Sequence, residues 1–381
     1  MLNSEQACVD GSLGSFAKRV VLFCLPLALA WLGLEWGMTT VPNSHSLKQT
    51  RLETLRSEVD TLIVGSSRAY YGISPWQLSG SAFNLANVSQ TLYYDDQLLT
   101  QQAPRLAKLR RVIVEVSYFS LGLELHDTDE DWRQYYYQHV WGIPPQRQED
   151  RNDIRMWSLV ALYSPRSSLS IAGHSFASLA PEVDARGWYA PTTTQPSTPD
   201  LGEAAAAVPL ARHHRMMRAS SEPANTAALE HLISMLRKLR VEVVLVTLPV
   251  WHTYADGMRP DGWARSQAIF ERVSQEYGAR YRSFLREPRL EPPDFLDTDH
   301  LSMRGAIRFT QMLNGLMDAP GARVPQFTSR NPGPAQRRKP EARRSDRASD
   351  SLPGVVSGVS TFNCLVHSRH SGEGAAVPPR E

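Results

Sequence analysis

Four short apolar runs constrain the fold of this chain most: Thr61 to Val64 (TLIV), a stretch around Phe83 to Leu85, Arg111 to Val116 (RVIVEV) and Val241 to Pro249 (VEVVLVTLP). A strand with one wet face alternates polar and apolar residues, whereas a strand buried on both faces is apolar throughout and belongs to a mainly parallel sheet. Helical spacing fills the intervals. Leu92 to Leu109 has helical character, broken near Pro104, and Ala224 to Arg240 places Leu229, Leu232, Ile233 and Leu236 on one face. This strand, helix, strand alternation predicts an α/β domain with helices covering both faces of the sheet.

A second constraint is the run VVLFCLPLALAWLGLEW from Val20 to Trp36, preceded directly by Lys18 and Arg19. It is apolar on every face, which argues against the alternative of a core helix in an intracellular enzyme, since a helix packed on a globular surface keeps a polar stripe. A membrane-spanning helix needs about 20 residues, which places Glu35 at the headgroup level of its outer end. The two cations favour a cytoplasmic N-terminus and an exported domain, periplasmic or extracellular. The expected layout is a cytoplasmic N-terminus over 1–19, a transmembrane signal anchor over 20–38, a connector over 39–59 and a folded domain over 60–319. A cleaved signal peptide is the competing reading, since Ala28-Leu29-Ala30 is a small-x-small pattern.

Between about 121 and 221 the periodicity fades, although Trp132, Tyr135, Tyr136, Tyr137, Trp141, Trp157 and Trp188 crowd the segment. It reads as an insertion: a lid or subdomain walling the site, with its aromatics either forming a small core of their own or stacking on sugars. Residues 320–381 are rich in Pro, Gly, Ser and Arg without apolar periodicity, and read as a disordered tail. The formal charge of +2 and the absence of a basic stripe interleaved with aromatics argue against a nucleic-acid partner. Cys8, Cys24 and Cys364 all lie outside the central body, so neither a disulfide framework nor a cysteine metal site is expected there.

Two segments carry chemistry. Gly65-Ser66-Ser67-Arg68 follows the first strand directly, at a carboxyl end where doubly wound sheets bind ligands, and its turn leaves backbone N–H groups free to meet a developing oxyanion. Asp297-Thr298-Asp299-His300-Leu301-Ser302 precedes a helix that has Ser302 as N-cap and Ala306, Phe309, Leu313 and Leu316 on one face. An Asp three residues before a His can hold the ring's tautomer and stabilise the imidazolium. The alternative has Asp297 and Asp299 solvated or capping the helix. Together the segments make a triad of Ser67, Asp297 and His300.

At these residues the chain resembles the SGNH (GDSL-like) hydrolase superfamily. It is most similar to the divergent exported branch that includes alginate and cellulose O-acetylation proteins and the D-alanyl transfer protein of teichoic acid synthesis. The phrases IVGSSRAYYGISP, FNLANVSQTLYYDDQLL, VIVEVSYFSLG and DTDHLSMRGA carry the likeness, over about Asp60 to Asp318. The resemblance implies a three-layer α/β/α domain with a flavodoxin-like sheet and Ser67 as nucleophile. It also implies action on an acylated polysaccharide or other ester as esterase or O-acyltransferase, without a cofactor, beside a multi-pass membrane acyltransferase partner. The alternative from another class is a non-catalytic glycan-binding or scaffold component. The chain departs from the family where oxyanion donors are expected: Ala86 and Asn87 stand in place of a glycine after the second strand, and Ser117 and Tyr118 in place of an asparagine after the third. The expected donors are the Ser67 N–H and Asn87, with Ser117 behind them.

Four further positions enter as candidates. Arg68 either orients a carboxylate or phosphate on the substrate or is an ordinary surface residue. His252, after the fourth strand, either contacts substrate or is a loop histidine. Glu115 interrupts an apolar strand and must find a partner if buried. His213 and His214 have no neighbours at ligand spacing, so no metal is expected.

Overall fold

A computed structural model describes residues 2–162, 183–189 and 198–318, with backbone alone for 2–14 and 318. The predicted tail over 320–381 and parts of the 121–221 insertion lie outside the described residues. Strands β1 (Thr61–Val64), β2 (Ala82–Asn84), β3 (Arg111–Glu115), β4 (Glu242–Thr247) and β5 (Arg280–Ser283) form one sheet in the order β2-β1-β3-β4-β5. Every pairing is parallel. That is the flavodoxin-like order, with its topological switch beside β1.

The helices are α1 (Leu2–Thr39), α2 (Ser44–Thr54), α3 (Ser67–Gly72), α4 (Leu92–Gln102), α5 (Arg133–Tyr136), α6 (Glu203–Met216), α7 (Glu222–Lys238), α8 (His252–Gly257), α9 (Pro260–Tyr277) and α10 (Met303–Asp318). Strand alternation divides the core between the two faces of the sheet. Leu62, Val64, Val112, Val114, Val243 and Leu245 pack with Leu98 of α4, Leu232 and Leu236 of α7 and Phe270 of α9. Ile63, Ile113, Val244 and Val246 point the other way, onto Ala69 and Tyr70 of α3 and Phe309 and Leu313 of α10. The result is three layers, α/β/α.

Two expectations need adjustment. Leu316 is 45% exposed while Met317 is buried, so the inward stripe of α10 runs through Ala306, Phe309, Leu313 and Met317. Within the described part of the insertion, Tyr135, Tyr136, Tyr137, Trp141 and Trp188 are buried. Tyr137 stacks on Tyr94 at 3.9 Å between ring centroids. These five rings fill a core, whereas Trp132 is partly exposed and Trp157 is 77% exposed.

The apolar part of α1, Ser15 to Thr39, is long and apolar enough to cross a membrane; its apolar stretch is exposed, and only its outer end, at Leu34 and Met38, packs against the rest of the protein. A signal sequence would have the same character.

Candidate active site

The turn after β1 is built for close approach. Gly65 has φ +135, and a Cβ there would stand 2.6 Å from the Cβ of Glu115 on the neighbouring strand. No side chain fits. Ser66 then caps α3, and Glu115, 1% exposed, holds it: the Ser66 N–H and hydroxyl donate to Glu115 Oε2 at 3.0 and 2.7 Å. The Ser117 hydroxyl donates to the other carboxylate oxygen. A second buried carboxylate, Asp95, accepts from Gln90 Nε2 at 2.6 Å, and burial pushes it up to about 8 against that bond and the Gly65 N–H. Ser67, the first residue of α3, is thus presented at the carboxyl edge of the sheet on a turn braced from below.

On the other side, Phe295 and Leu301 pair as an antiparallel bridge that closes the loop carrying His300. Asp297 Oδ1 accepts the N–H groups of Asp299 and His300 at 2.9 and 2.8 Å, and both its carboxylate oxygens lie 3.0 Å from His300 Nδ1. The loop is tied to the segment between β4 and α8 by Trp251 N–H donating to Thr298 O at 2.9 Å. Ser302 caps α10 as expected, its Oγ accepting from the Gly305 N–H at 3.2 Å. A Cβ at Gly305 would collide with the Asp294 carbonyl, so the helix starts hard against the loop.

The fold brings the two segments together. Ser67 Oγ lies 2.8 Å from His300 Nε2, across 233 positions of sequence. With Nδ1–H donated to Asp297, Nε2 is left to accept from the serine hydroxyl. Burial alone would raise the Asp297 carboxyl, but His300 and the two backbone N–H groups outweigh it and hold the group well below the usual range. Burial opposes charge on His300, yet the Asp299 and Asp297 carboxylates raise it above an ordinary imidazole. Asp299 is itself pushed up by burial. Tyr71 sets its ring edge-on to His300 at 5.2 Å. Asp297, Asp299 and His300 offer ligand atoms within 4.8 Å of one another, but a cation there would displace the Asp297 to His300 bond.

The weaker candidates separate. Among the described residues the Ser67 N–H has no partner. Asn87 Oδ1 accepts from Ser44 Oγ at 3.1 Å and Val88 N–H at 3.2 Å, which orients the amide and leaves Nδ2 uncommitted. Asn87 N–H donates to Gly65 O at 3.2 Å, keeping the residue beside the serine turn. The Ala86 N–H is taken by Asn84 Oδ1 at 2.9 Å.

Ser117 does not serve as a donor. Its hydroxyl is spent on Glu115 and its N–H on Ser120 Oγ at 2.8 Å. Arg68 is not a surface residue: it is 1% exposed, between the rings of Phe119 and Tyr254 at 5.0 Å each, with Nη2 3.8 Å from Asp299 Oδ2. His252 is a surface histidine, 62% exposed and 3.8 Å from Asp256. Glu115 and Asp299 are the site residues that the sequence pattern underrates. The signal for Glu115 was a charge inside an apolar strand.

No protein-family model matches the chain, and no curated protein matches it. Solved structures similar to it include a catalytic mutant of an acetylxylan esterase from Geobacillus stearothermophilus, 9% identical, covering 70% of this chain and 97% of that one with a TM-score of 0.36. A lipase/acylhydrolase from Enterococcus faecalis is 10% identical, covering 68% of this chain and 95% of that one, TM-score 0.32. A GDSL-like lipase from Bacteroides thetaiotaomicron is 9% identical, covering 72% and 98%, TM-score 0.34. At such identities and TM-scores these likenesses say nothing of the chemistry or substrate of this chain, which is an α/β protein with a parallel five-stranded sheet and a Ser67, His300, Asp297 hydrogen-bonded relay at its carboxyl edge.

Proposed function

We propose that this chain is an SGNH-like serine esterase or O-acyltransferase, exported and held at a membrane by α1, that works on an acylated cell-surface polysaccharide. The observation that supports it is the continuous contact from Ser67 Oγ to His300 Nε2, 2.8 Å, and from His300 Nδ1 to Asp297, 3.0 Å. Ser67 attacks the ester carbonyl as His300 takes its proton, and the Ser67 N–H and the Asn87 amide receive the charge that develops on the carbonyl oxygen. His300 then protonates the departing alcohol, leaving an acyl-serine. Water or a sugar hydroxyl, deprotonated by His300, takes the acyl group and frees the serine. The nature of that acceptor divides esterase from transferase, and a multi-pass acyltransferase partner would supply acyl groups in the second case.

Labelling by a fluorophosphonate probe, together with acetate release from an O-acetylated polysaccharide, tests this. No labelling and no release would leave the glycan-binding or scaffold reading, which the commitment of Ser117 to Glu115 favours by removing one oxyanion donor.

Two results follow from the site. Asn87→Ala is expected to lower kcat by about a hundredfold with a smaller change in KM, since an oxyanion donor acts mainly in the transition state. An unchanged kcat would remove Asn87 from the site. The base form of His300 is needed for attack, and its pKa is raised by Asp299 and Asp297. Activity is therefore expected to fall as pH drops through an apparent pKa above the ordinary imidazole value, and Asp297→Asn to shift that acid limb downward, both read from kcat/KM against pH.

A further inference from the structure

Glu35 is the one acidic residue in the apolar run of α1, and it is not free. Its carboxylate accepts the Leu159 N–H at 2.9 Å and the Ser158 hydroxyl, with the Val160 N–H at 3.4 Å from both oxygens. Leu34, Met38 and Val41 pack with Leu159 and Val160 around this clasp. The outer end of α1 is therefore joined to the segment from Ser158 to Val160 by both hydrogen bonds and apolar packing.

Directly before that segment lies a short turn, Ile154–Met156, closed by the Trp157 and Ser158 N–H groups donating to Ile154 O at 3.0 and 3.1 Å. Ile154 is 65% exposed and Trp157 77% exposed, and on the helix Trp36, next to Glu35, is 74% exposed. Nearby Arg155 is neutralised by Asp153 at 2.8 Å and Asp131 at 3.1 Å. The patch is apolar and aromatic rather than cationic. An indole left that open in water is costly, whereas the boundary between lipid headgroups and acyl chains suits its amphipathic ring.

We infer that the turn carrying Ile154 and Trp157 is a second membrane contact, seated in the interfacial layer of the same bilayer that α1 crosses. The occupant is lipid because the patch is continuous with the outer end of the spanning helix through the Glu35 clasp. The inference rests on reading α1 as a retained membrane span. With two contacts, the domain cannot pivot about a single helix. It also sets the height of the site: Ser44, hydrogen-bonded to Asn87, follows Thr39 by five residues, a reach of at most about 18 Å from the helix end. Ester substrates are then met close to the membrane surface, in a fixed orientation.

The test uses the full chain in phosphatidylcholine vesicles, with Cys8, Cys24 and Cys364 replaced by alanine and a single fluorescent label placed at Trp157→Cys, Leu29→Cys or Ala268→Cys. Trp157 and Ala268 are exposed, so neither change disturbs packing. Lipid-borne quencher is expected to dim positions 157 and 29 about threefold more than position 268, with aqueous quencher giving the reverse order. If position 29 is quenched from the lipid while 157 behaves like 268, the second contact is overturned and the span stands. If 29 also behaves like 268, α1 does not cross the bilayer and both readings fail.

Discussion

Ser67→Ala will abolish fluorophosphonate labelling and lower kcat/KM toward an aryl acetate by about 10⁴-fold or more, because Ser67 is the nucleophile that His300 Nε2 meets among the described residues. The Ser67 hydroxyl is only half buried and makes its one hydrogen bond to His300 at 2.8 Å, so its loss removes chemistry without opening a cavity in the core. Unfolding midpoints should therefore match those of the native chain. His300→Ala is expected to cost about as much as Ser67→Ala, and the double variant little more, since groups that act as one relay are not additive. Labelling that persists in Ser67→Ala would place the nucleophile elsewhere, and the proposed chemistry would fall with it.

Glu115→Ala is expected to destabilise the domain by about 3–5 kcal/mol, through loss of a buried charge that three donors depend on. The Ser66 N–H, the Ser66 hydroxyl and the Ser117 hydroxyl all terminate on its carboxylate. Each donor would be left dry and unpaired, at about 1–3 kcal/mol apiece before relaxation. Glu115→Gln keeps the volume and one acceptor oxygen but turns an amide N–H2 toward donors, so a smaller loss of about 1–3 kcal/mol is expected. Because Ser66 is the cap immediately before Ser67, activity should fall further than stability alone accounts for at temperatures where the variant remains folded. Denaturant unfolding followed by near-ultraviolet circular dichroism reads the first effect and kcat/KM the second. An unchanged midpoint for Glu115→Ala would show that the turn after β1 does not lean on β3.

The strands β1, β3 and β4 were legible because a parallel strand buried on both faces leaves an unbroken apolar run. The strand β5 was not. Its sequence, RYRS, sits at the sheet edge with its residues partly exposed, so there is no apolar signal to read. Helix α9, PDGWARSQAIFERVSQEY, was missed for a related reason: few residues on its inward stripe, Phe270 and Val273 among them, are buried apolar ones. The loop from Asp297 to His300 was readable because its interactions span three residues, and backbone N–H groups within it supply the partners.

Arg68 illustrates the opposite case. It stands next to the nucleophile, where a substrate contact is a natural expectation, yet Phe119 and Tyr254 arrive from two other segments and enclose it. Ser117 occupies the right place after β3 for an oxyanion donor, but Glu115, two residues away, consumes its hydroxyl. Asn87 gains its orientation from Ser44 in the connector.

The sequence by itself therefore determined the α/β class, the apolar helix, the serine turn and the Asp297 to His300 pair, since periodicity, turn chemistry and short-range hydrogen bonding are local properties of a chain. Only the tertiary structure decided that Ser67 meets His300 and which donors near them remain uncommitted. Each buried polar group must find a partner, and those partners come from segments that the sheet, not the sequence order, brings together.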